Sequence, residues 1–501
     1  MRFSWRHAQH RLLSLARLGI VSSVSGAVSS SKVVRSEGEA ISAPIVPRQL
    51  LIQADSLRVR ALSFKSMTRL IQEWMRRLFR VSYSLWRLLY ISAQLSPPLL
   101  LSPFLLLGNN DFARTWSQLL KSCIERCGPC SIKFAQWVAT RPDLFPLYVC
   151  ETLEGLQAES RTQSSHHIVE SLRAAFGDTY SESILLDSER PQVLGCGCVA
   201  EVVLASYNGK PVAVKVIHPD VKRDILTDID LLRLCSGFIE LFPGMHNLSL
   251  VEMVDEFAEL MLRQLDMRSE AAALDRFRNN FKERSWSRVS FPLVLFSSES
   301  ILIESFEEGE LLSKALKANM TPAACKDIAD VGLNAFLKMV FIDNFVHGDL
   351  HPGNIIIRRH KRNFELIFID VGITVELKPA DRRNFIDLFT AIVKRDARAV
   401  GRLMVERSRG KKCNDPVAFE KDLAAIVDDV HANGLSLGRI KVGELLQRVL
   451  VLCYIHGVKL ESRFANLILA IGVLEGLGRR LDPDLDLISR AAPFILKSTV
   501  T

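Results

Sequence analysis

Two short polar motifs, separated by a mostly apolar stretch, constrain this chain more than any other part of its sequence. The first motif, residues 347–354, reads HGDLHPGN and places Asp349 and Asn354 five residues apart. The second follows the apolar residues 366–369 and consists of Asp370, a valine and a glycine. A lone His-Gly-Asp is often only a polar turn, but both motifs in this order and spacing are typical of loops that hold phosphates and metal ions.

These residue types match the needs of phosphoryl transfer. The reaction requires phosphates that are neutralised by a metal ion and an acceptor that is held in line. We therefore predict that Asp349 is catalytic, positioning or deprotonating the acceptor, and that Asn354 and Asp370 are metal ligands. The implied cofactors are ATP and Mg²⁺.

A β-hairpin upstream contains groups that could bind the phosphates. Asn208 and Gly209 mark a two-residue turn between two apolar strands, and the second strand carries Lys215 in the sequence Val-Ala-Val-Lys. Gly195 and Gly197 lie just before the first strand, where glycines let backbone amides approach phosphate oxygens. Each feature alone has an ordinary explanation, as a strand lysine or a hairpin turn, but their adjacency favours nucleotide binding.

The lysine needs a carboxylate partner on a facing helix. Residues 249–282 form a helical pattern in which Asp266 and Glu270 lie four residues apart on one face. Glu270 is the predicted partner, although charged helix faces are usually only solvated. Glu304, near the end of the apolar strand 299–305, completes the predicted nucleotide-binding set.

The order of elements predicts an α+β fold with two lobes, in the manner of a protein kinase. Helical patterns cover 112–160 and 164–185, and the β-rich stretch that follows begins a small lobe over about 190–305. The large lobe covers about 306–490, and its periodicity is helical nearly throughout after residue 380.

The positive charge of the chain is concentrated at its N-terminus. The formal net charge is +8, and residues 1–36 contain six lysines and arginines and no acid, so the remainder carries 8 − 6 = +2. A nucleic-acid footprint is therefore unsupported. Spaced arginines among apolar residues and serines predict a mitochondrial presequence over 1–36, with a basic tail as the alternative.

Residues 37–111 form a second segment. Met67 to Arg87 has the composition of a basic amphipathic helix at a membrane surface, and 88–110 contains no charged residue over a length sufficient to cross a bilayer. Three prolines, Pro97, Pro98 and Pro103, interrupt that apolar run. Two alternatives remain for this segment: association with a membrane, which in a mitochondrial protein would be the inner membrane, and simple packing against the rest of the chain.

The ten cysteines are scattered along the chain rather than arranged as a disulfide framework. Cys127 and Cys130 enclose Gly-Pro and have the spacing of a thioredoxin-type pair. A redox pair of that kind opens a helix directly after a strand, whereas this one follows a helical pattern. We therefore favour a joint between two helices.

Several segments resemble the UbiB/ABC1/ADCK family of aarF-domain atypical kinases. Lys133-Phe134-Ala135-Gln136 resembles the family's KxGQ signature, and residues 347–354 match its catalytic loop. Residues 264–271 look like its ExD and Glu-Ala helix, and 481–484 is similar to its Leu-Asp-Pro-Asp ending. The resemblance covers about 112–490 and assigns that range to one kinase-like domain.

The resemblance implies an atypical kinase fold with an N-terminal helical extension, in which Lys133 and Gln136 lie across the mouth of the active site. It also implies Mg²⁺ and ATP binding, with ATPase or small-molecule or lipid kinase activity rather than ordinary protein phosphorylation. The expected setting is coenzyme Q biosynthesis or mitochondrial lipid metabolism at the inner membrane, with coenzyme Q biosynthetic proteins among the partners.

The chain departs from the family pattern at several positions, in ways that resemble the divergent second ADCK branch. Ala135 replaces the signature glycine. Gln264 replaces the ExD glutamate, so a salt bridge from Lys133 would depend on Asp266. Glu201 replaces the usual glutamine and would place a carboxylate near the phosphates.

Two other functions remain under consideration. One is a nucleotide-binding regulatory scaffold at the inner membrane that does not transfer phosphoryl groups. The other is a small-molecule phosphotransferase of the aminoglycoside or choline kinase type, which lacks a segment resembling Lys133 to Gln136.

Overall fold

The structure is a computed structural model that describes residues 48–107, 110–141, 147–154, 165–178, 180–186, 191–242, 250–318, 320–360, 363–394, 396–406, 415–432, 442–458 and 462–498. The predicted presequence lies outside these residues. By its internal contacts the chain divides into two compact units, Met1–Phe79 and Arg80–Thr501. All residues of the predicted site belong to the second unit.

The N-terminal part is helical. Its elements are α1 (Arg48–Leu101), a 3₁₀ segment (Ser102–Leu107), α2 (Asn110–Cys127), α3 (Pro129–Ala139), α4 (Leu147–Glu154), α5 (Ser165–Phe176) and α6 (Tyr180–Ser183). The helix predicted over 164–185 is therefore shorter, because Gly177, with φ of +78°, ends α5 and a two-residue strand begins at Ile184.

Helix α1 continues through Pro97 and Pro98, which the sequence suggested would interrupt it. Within the described residues, Ile71–Leu105 is long and apolar enough to cross a membrane, and 6% of its most apolar window is buried. Large apolar side chains such as Leu89 and Leu100 are exposed on it. The helix packs on the rest of the chain at Arg87, which is 7% exposed and pairs with Asp228 at 2.8 Å. Insertion of its apolar part into a membrane remains a prediction.

The joint between α2 and α3 explains the Cys127 and Cys130 pair. Helix α2 ends at Cys127, and α3 begins at Pro129 after Gly128, whose φ is +102°. Both thiols are fully buried, and burial raises the pKa of Cys127 to about 11 and that of Cys130 further. Buried thiols with raised pKa values are poor nucleophiles, so the pair is a structural joint rather than a redox site.

The small lobe contains an antiparallel sheet in the order β1-β3-β4-β7-β6, with β2 paired to β3. Asn208 and Gly209 both have positive φ, as the predicted two-residue hairpin turn requires. The strands are β1 (Ile184–Leu185), β2 (Val193–Cys196), β3 (Ala200–Tyr207), β4 (Lys210–Ile217), β6 (Val294–Ser297) and β7 (Ile301–Ser305).

Among the described residues, three α-helices lie between β4 and β6 in the chain: α7 (Val221–Glu240), α8 (Leu250–Gln264) and α9 (Met267–Asn280). The single helix predicted over 249–282 is wrong because the pattern breaks at Leu265 and Asp266. The side chain of Asp266 accepts a hydrogen bond from the backbone N–H of Arg268 at 3.0 Å and so caps α9.

The large lobe contains two small sheets and is mainly helical towards its C-terminal end. Its strands are β5 (Val289–Ser290), β8 (Glu310–Leu311), β9 (Val346–His347), β10 (Ile355–His360), β11 (Asn363–Phe368) and β12 (Thr374–Val375). Its helices are α10 (Leu312–Ala315), α11 (Pro322–Leu337), α12 (Pro379–Val393), α13 (Ala397–Glu406), α14 (Pro416–Ala432), α15 (Val442–His456), α16 (Ser462–Leu481) and α17 (Leu487–Ser498).

One apolar core joins these helices to α9. Phe277 of α9 is fully buried and stacks on Phe291, with ring centroids 4.9 Å apart. Burying a phenylalanine side chain stabilises the fold by roughly 1.5–3 kcal/mol. Helix α9 is thereby fixed between the small sheet and the large lobe, which gives Glu270 a defined position.

Candidate active site

A cavity of about 780 Å³ opens between the small sheet and the loops that follow β9 and β11. Nine of the ten predicted site residues line it: Lys133, Gly195, Gly197, Lys215, Glu270, Glu304, Asp349, Asn354 and Asp370. The tenth, Gln136, lies one turn further along α3 and is not part of the lining. Residues separated by more than two hundred positions in the sequence therefore face one space.

Lys215 is the centre of the charged groups in this cavity. Its Nζ lies 2.9 Å from both carboxylate oxygens of Glu270 and 2.8 Å from Oδ1 of Asp370. The lysine and glutamate side chains are 13% and 8% exposed. The predicted partner on the helix therefore makes a two-oxygen contact in a poorly solvated place, where the interaction is stronger than at a surface.

The pKa values in this group follow from burial and from the neighbouring charges. Burial disfavours the charged form of Lys215, but Asp370 and Glu270 outweigh it and raise its pKa. The Lys215 ammonium lowers the pKa of Asp370 to about 2, against the effect of burial. Burial raises the pKa of Glu270 although Lys215 opposes that change. Lys215 and Asp370 are thus a charged pair at neutral pH.

The catalytic loop is held by hydrogen bonds to its own backbone. The side-chain amide of Asn354 donates to the carbonyl oxygen of Asp349 at 3.0 Å, and the backbone N–H of Ile369 donates to the carbonyl of Asn354 at 3.0 Å. His347 is fully buried; its Nε2 donates to the carbonyl of Ile369 at 3.2 Å. These bonds tie the two motifs together at a fixed separation.

Asp370 has a φ of +53°, which non-glycine residues seldom adopt. Such backbone strain is found mainly where the surrounding structure holds a side chain in a functional position. Here, just after β11, this backbone conformation directs the Asp370 carboxylate towards Lys215 of β4. The side-chain nitrogen of Asn354 donates to the carbonyl oxygen of Asp349, so its side-chain oxygen is the atom that would contact the predicted metal ion.

These oxygens fit Mg²⁺, which prefers carboxylate and carbonyl ligands supplemented by water and phosphate. Asn354 and Asp370 line the same cavity and would hold the ion. Among the residues that the structure describes, no group of three or more His, Cys, Asp or Glu side chains forms a dedicated metal cage. A magnesium ion held by Asn354 and Asp370 would take its remaining ligands from water and nucleotide phosphates.

Two expectations about the departures from the family pattern are wrong. Glu201 is 2% exposed and lies on β3 between Ala200 and Val202, which both line the cavity. Because side chains alternate along a strand, the Glu201 carboxylate points to the other face of the sheet, away from the phosphates. Asp266 pairs with Arg268 at 2.7 Å rather than with Lys133.

The glycine loop carries a contact that sequence reasoning missed. His218 follows β4 directly, and its Nε2 lies 2.8 Å from the carbonyl oxygen of Gly197. The N–H of Gly197 donates to the carbonyl of Ala200 at 2.9 Å. The available signal was a polar residue, His218, immediately after the strand that carries Lys215. Nothing in the sequence indicated that the His218 side chain contacts the glycine loop.

Glu304 is a buried carboxyl group whose Oε2 has no hydrogen-bond partner among the described residues. Burial, with Glu270 nearby, raises its pKa to about 8. In the unfolded chain Glu304 has its ordinary pKa of 4.5. Between pH 4.5 and about pH 8, Glu304 is therefore protonated in the folded chain and ionised in the unfolded chain.

That difference predicts the pH dependence of stability. Between pH 4.5 and pH 8, the contribution of Glu304 to the free energy of unfolding falls by up to about 1.4 kcal/mol for each unit of pH increase. Above pH 8 this contribution no longer changes with pH. Denaturant unfolding of the wild type and of Glu304→Gln across pH 5–9 measures this. The advantage of the wild type over the variant should shrink as pH rises, and a difference that does not vary with pH would show that Glu304 is not protonated in the folded state.

Comparison with known proteins agrees with this geometry. The ABC1 atypical kinase-like domain matches residues 156–404, and the UbiB helical domain matches residues 423–486. A mitochondrial ABC1 family protein of Saccharomyces cerevisiae is 31% identical over 484 residues, covering 82% of this chain and 74% of the yeast protein. The chain belongs to the ABC1/UbiB family.

Other members of the ABC1/UbiB family extend the comparison. The probable serine/threonine-protein kinase abkC of Dictyostelium discoideum is 32% identical over 77% of this chain. The match spans 65% of the length of abkC, just under two thirds. The probable protein kinase UbiB of Tolumonas auensis is 32% identical over 75% of the chain and 69% of the relative. A Mycobacterium tuberculosis protein solved in complex with erythromycin has the same fold, with a TM-score of 0.50 at 17% identity, over 80% of this chain and 96% of that one.

The family assignment confirms the predicted fold class, an α+β kinase-like fold with a helical N-terminal extension. Relatives named as mitochondrial occur in two yeasts, which supports the mitochondrial location predicted from the leader. The boundaries of the lobes and the roles of individual site residues remain predictions.

Proposed function

We propose that this ABC1/UbiB protein binds ATP with Mg²⁺ in the cavity and transfers its terminal phosphoryl group to water or to a lipid-like or small-molecule acceptor. One observation carries the proposal. Lys215 contacts Glu270 and Asp370 in the cavity that Asp349 and Asn354 also line. A lysine for the phosphates, two metal-ligand residues and an acceptor-binding aspartate are the parts that phosphoryl transfer uses.

Each residue has a defined task in the proposed reaction. Lys215, oriented by Glu270, binds phosphate oxygens, and the glycine loop offers backbone amides. Asn354 and Asp370 hold Mg²⁺, which supplies neutralisation of the developing negative charge. Asp349 accepts a hydrogen bond from the acceptor hydroxyl and orients it towards the phosphorus atom.

The setting that we propose is the mitochondrial inner membrane, in coenzyme Q biosynthesis or mitochondrial lipid metabolism. The apolar helix Ile71–Leu105 and the mitochondrial relatives support this location. If this helix binds the membrane, the chain would meet acceptors that partition into lipid. Proteins of coenzyme Q biosynthesis are the proposed partners.

A second candidate function is a regulatory scaffold that binds nucleotide without transferring its phosphoryl group. The contact between Lys215 and Asp370 favours this candidate, because it occupies both the phosphate-binding lysine and a metal ligand. ATP and Mg²⁺ must separate these two charges before transfer can occur.

Release of labelled γ-phosphate, to water or to added mitochondrial lipids, distinguishes the two functions. We expect turnover by the full-length chain in lipid vesicles with Mg²⁺, and a reduction of at least about 100-fold in Asp349→Asn, which loses the acceptor-orienting carboxylate. Asp381→Asn, on α12 and outside the lining of the cavity, is the control and should retain turnover. Nucleotide binding with no turnover under any lipid condition would favour the scaffold.

A further inference from the structure

We propose that His218 is a positioning residue that holds the glycine loop so that a backbone amide of the loop faces the phosphates. The inference rests on the proposed binding of ATP and identifies a residue that determines how the loop takes part in it. His218 belongs to neither polar motif and lines no part of the cavity.

Two hydrogen bonds to backbone carbonyl groups join His218 to the loop, and its Nε2 also lies 4.0 Å from the Sγ of Cys196. Its Nε2 lies 2.8 Å from the carbonyl oxygen of Gly197, and because a carbonyl only accepts, Nε2 carries the proton and donates. The backbone N–H of His218 donates to the carbonyl oxygen of Val199 at 2.9 Å. One residue therefore fixes the carbonyl groups on both sides of Cys198.

The direction of one carbonyl fixes the direction of the next amide. The described chain has no cis peptide bond, so the C=O of Gly197 and the N–H of Cys198 point in opposite directions. Gly197 and Cys198 line the cavity and His218 does not. Holding the Gly197 carbonyl towards His218 therefore turns the Cys198 amide towards the cavity.

The Cys198 amide is the donor that the loop can offer at this point. The preceding amide, that of Gly197, already donates to Ala200 within the turn at 2.9 Å. Successive backbone amides in a glycine-containing turn are a common site for phosphate oxygens. If the Gly197 carbonyl were released, the peptide could rotate and present an oxygen atom to the phosphates, which would repel them.

The unpaired Nδ1 of His218 argues against a role for this residue in packing alone. The side chain is buried, at 4% exposure, and Nδ1 has no hydrogen-bond partner among the described residues. An unpaired buried nitrogen destabilises the folded state, and an apolar side chain of similar size would avoid that cost. A leucine here removes the cost of the unpaired Nδ1 together with the bond from Nε2, so we expect the variant to fold while it releases the loop.

Nucleotides of increasing phosphate number test the proposal in the full-length chain. Affinities for adenosine, AMP, ADP and ATP, with Mg²⁺ present, are measured for the wild type, His218→Leu and His218→Gln. We expect His218→Leu to weaken ATP and ADP binding about 10-fold and to leave adenosine binding unchanged, because adenosine has no phosphate for the Cys198 amide to bind. Glutamine can place an N–H where imidazole Nε2 lies and should restore ATP affinity to within about threefold of the wild type.

His167→Leu is the matched control. The Nε2 of His167 lies 2.8 Å from the carbonyl oxygen of Ile217, the neighbour of His218, so this variant removes a similar bond without touching the loop. It should bind ATP as the wild type does. If His218→Leu does not fold, His218→Asn replaces it, because the shorter amide cannot reach the Gly197 carbonyl; ATP must then bind to His218→Gln about 10-fold more tightly than to His218→Asn.

Two results would overturn the inference while nucleotide binding itself stands. The first is a folded His218→Leu with wild-type affinity for ATP. The second is a loss of adenosine affinity equal to the loss of ATP affinity, which would indicate general distortion of the cavity. A wild type that binds neither ATP nor ADP would instead overturn the proposed function, and this inference with it.

Discussion

Lys215→Met is expected to abolish Mg-ATP binding and to lower the free energy of unfolding at neutral pH by about 3 kcal/mol. Lys215 is the cation that Glu270 and Asp370 both contact, and Glu304 is close enough for its pKa to respond to all three. Without the lysine, the buried carboxyl groups of Glu270 and Glu304 and the half-exposed carboxylate of Asp370 face one another with no cation between them. Loss of one partner of a buried ion pair is more destabilising than the pair itself is stabilising.

The sign of the pH dependence makes this prediction specific. In the variant the lysine no longer lowers the pKa values of Asp370, Glu270 and Glu304, so all three pKa values rise. The folded state then binds more protons relative to the unfolded state than the wild type does, and the loss of stability is largest at high pH. Denaturant unfolding at pH 5 and at pH 8 should show a smaller loss at the lower pH. Lys210→Met, at the exposed start of β4, is the control and should change stability by less than about 0.5 kcal/mol. Unchanged stability in Lys215→Met at pH 8 would contradict the account.

Arg87→Ala is expected to lower the free energy of unfolding by about 3–5 kcal/mol. Arg87 of α1 contacts both carboxylate oxygens of Asp228 on α7 at 2.8 Å and donates to the carbonyl oxygen of Cys127 at 2.5 Å. The two side chains are 8% and 4% exposed. Burial raises the pKa of Asp228 even with the arginine present, so removing the arginine leaves an unpaired acid in an apolar place.

Two further variants separate this buried pair from a general effect of charge. Arg80→Ala removes an exposed arginine from the same helix and should change stability by less than about 0.5 kcal/mol. The double variant Arg87→Met with Asp228→Leu should recover more than half of the lost stability, because apolar pairs often replace buried ion pairs without cost. A loss of less than about 1 kcal/mol in Arg87→Ala would show that α1 does not pack on α7 in this way.

The Arg87 contacts also concern the active site. Arg87 lies against Gly128, at the start of the helix that carries Lys133, and a side chain at Gly128 would approach its Nη2 to 3.0 Å. The segment ahead of the kinase-like domain is therefore part of the support for one wall of the cavity. Activity measurements accordingly require the full-length chain.

Much of the site could be predicted because its signals are local. The spacing of Asp349 and Asn354 within one loop, the hairpin turn at Asn208 and Gly209, and the lysine at the end of an apolar run each need only a few consecutive residues. Placing Glu270 opposite Lys215 required the order of strands and helices in a kinase-like fold. The structure shows that contact at 2.9 Å.

The features that were missed depend on contacts between distant residues or on local hydrogen bonds that periodicity does not report. Arg87 and Asp228 are 141 residues apart, and no charge pattern in either helix predicts their pairing. Asp266 was assigned to a continuous helix because the apolar period is the same on both sides, whereas its side chain ends one helix and begins another. Glu201 was expected near the phosphates because its neighbours are, but strand alternation places it on the opposite face.

Binding of Mg-ATP to the purified full-length chain, measured by calorimetry with and without Mg²⁺, tests the central claim most directly. The account predicts saturable binding of one nucleotide, tighter with Mg²⁺ than without it, and loss of that Mg²⁺ dependence in Asp370→Asn, which removes a charge from the metal ligand. Absence of saturable binding at millimolar ATP, with the chain folded, would contradict the assignment of the cavity to a nucleotide.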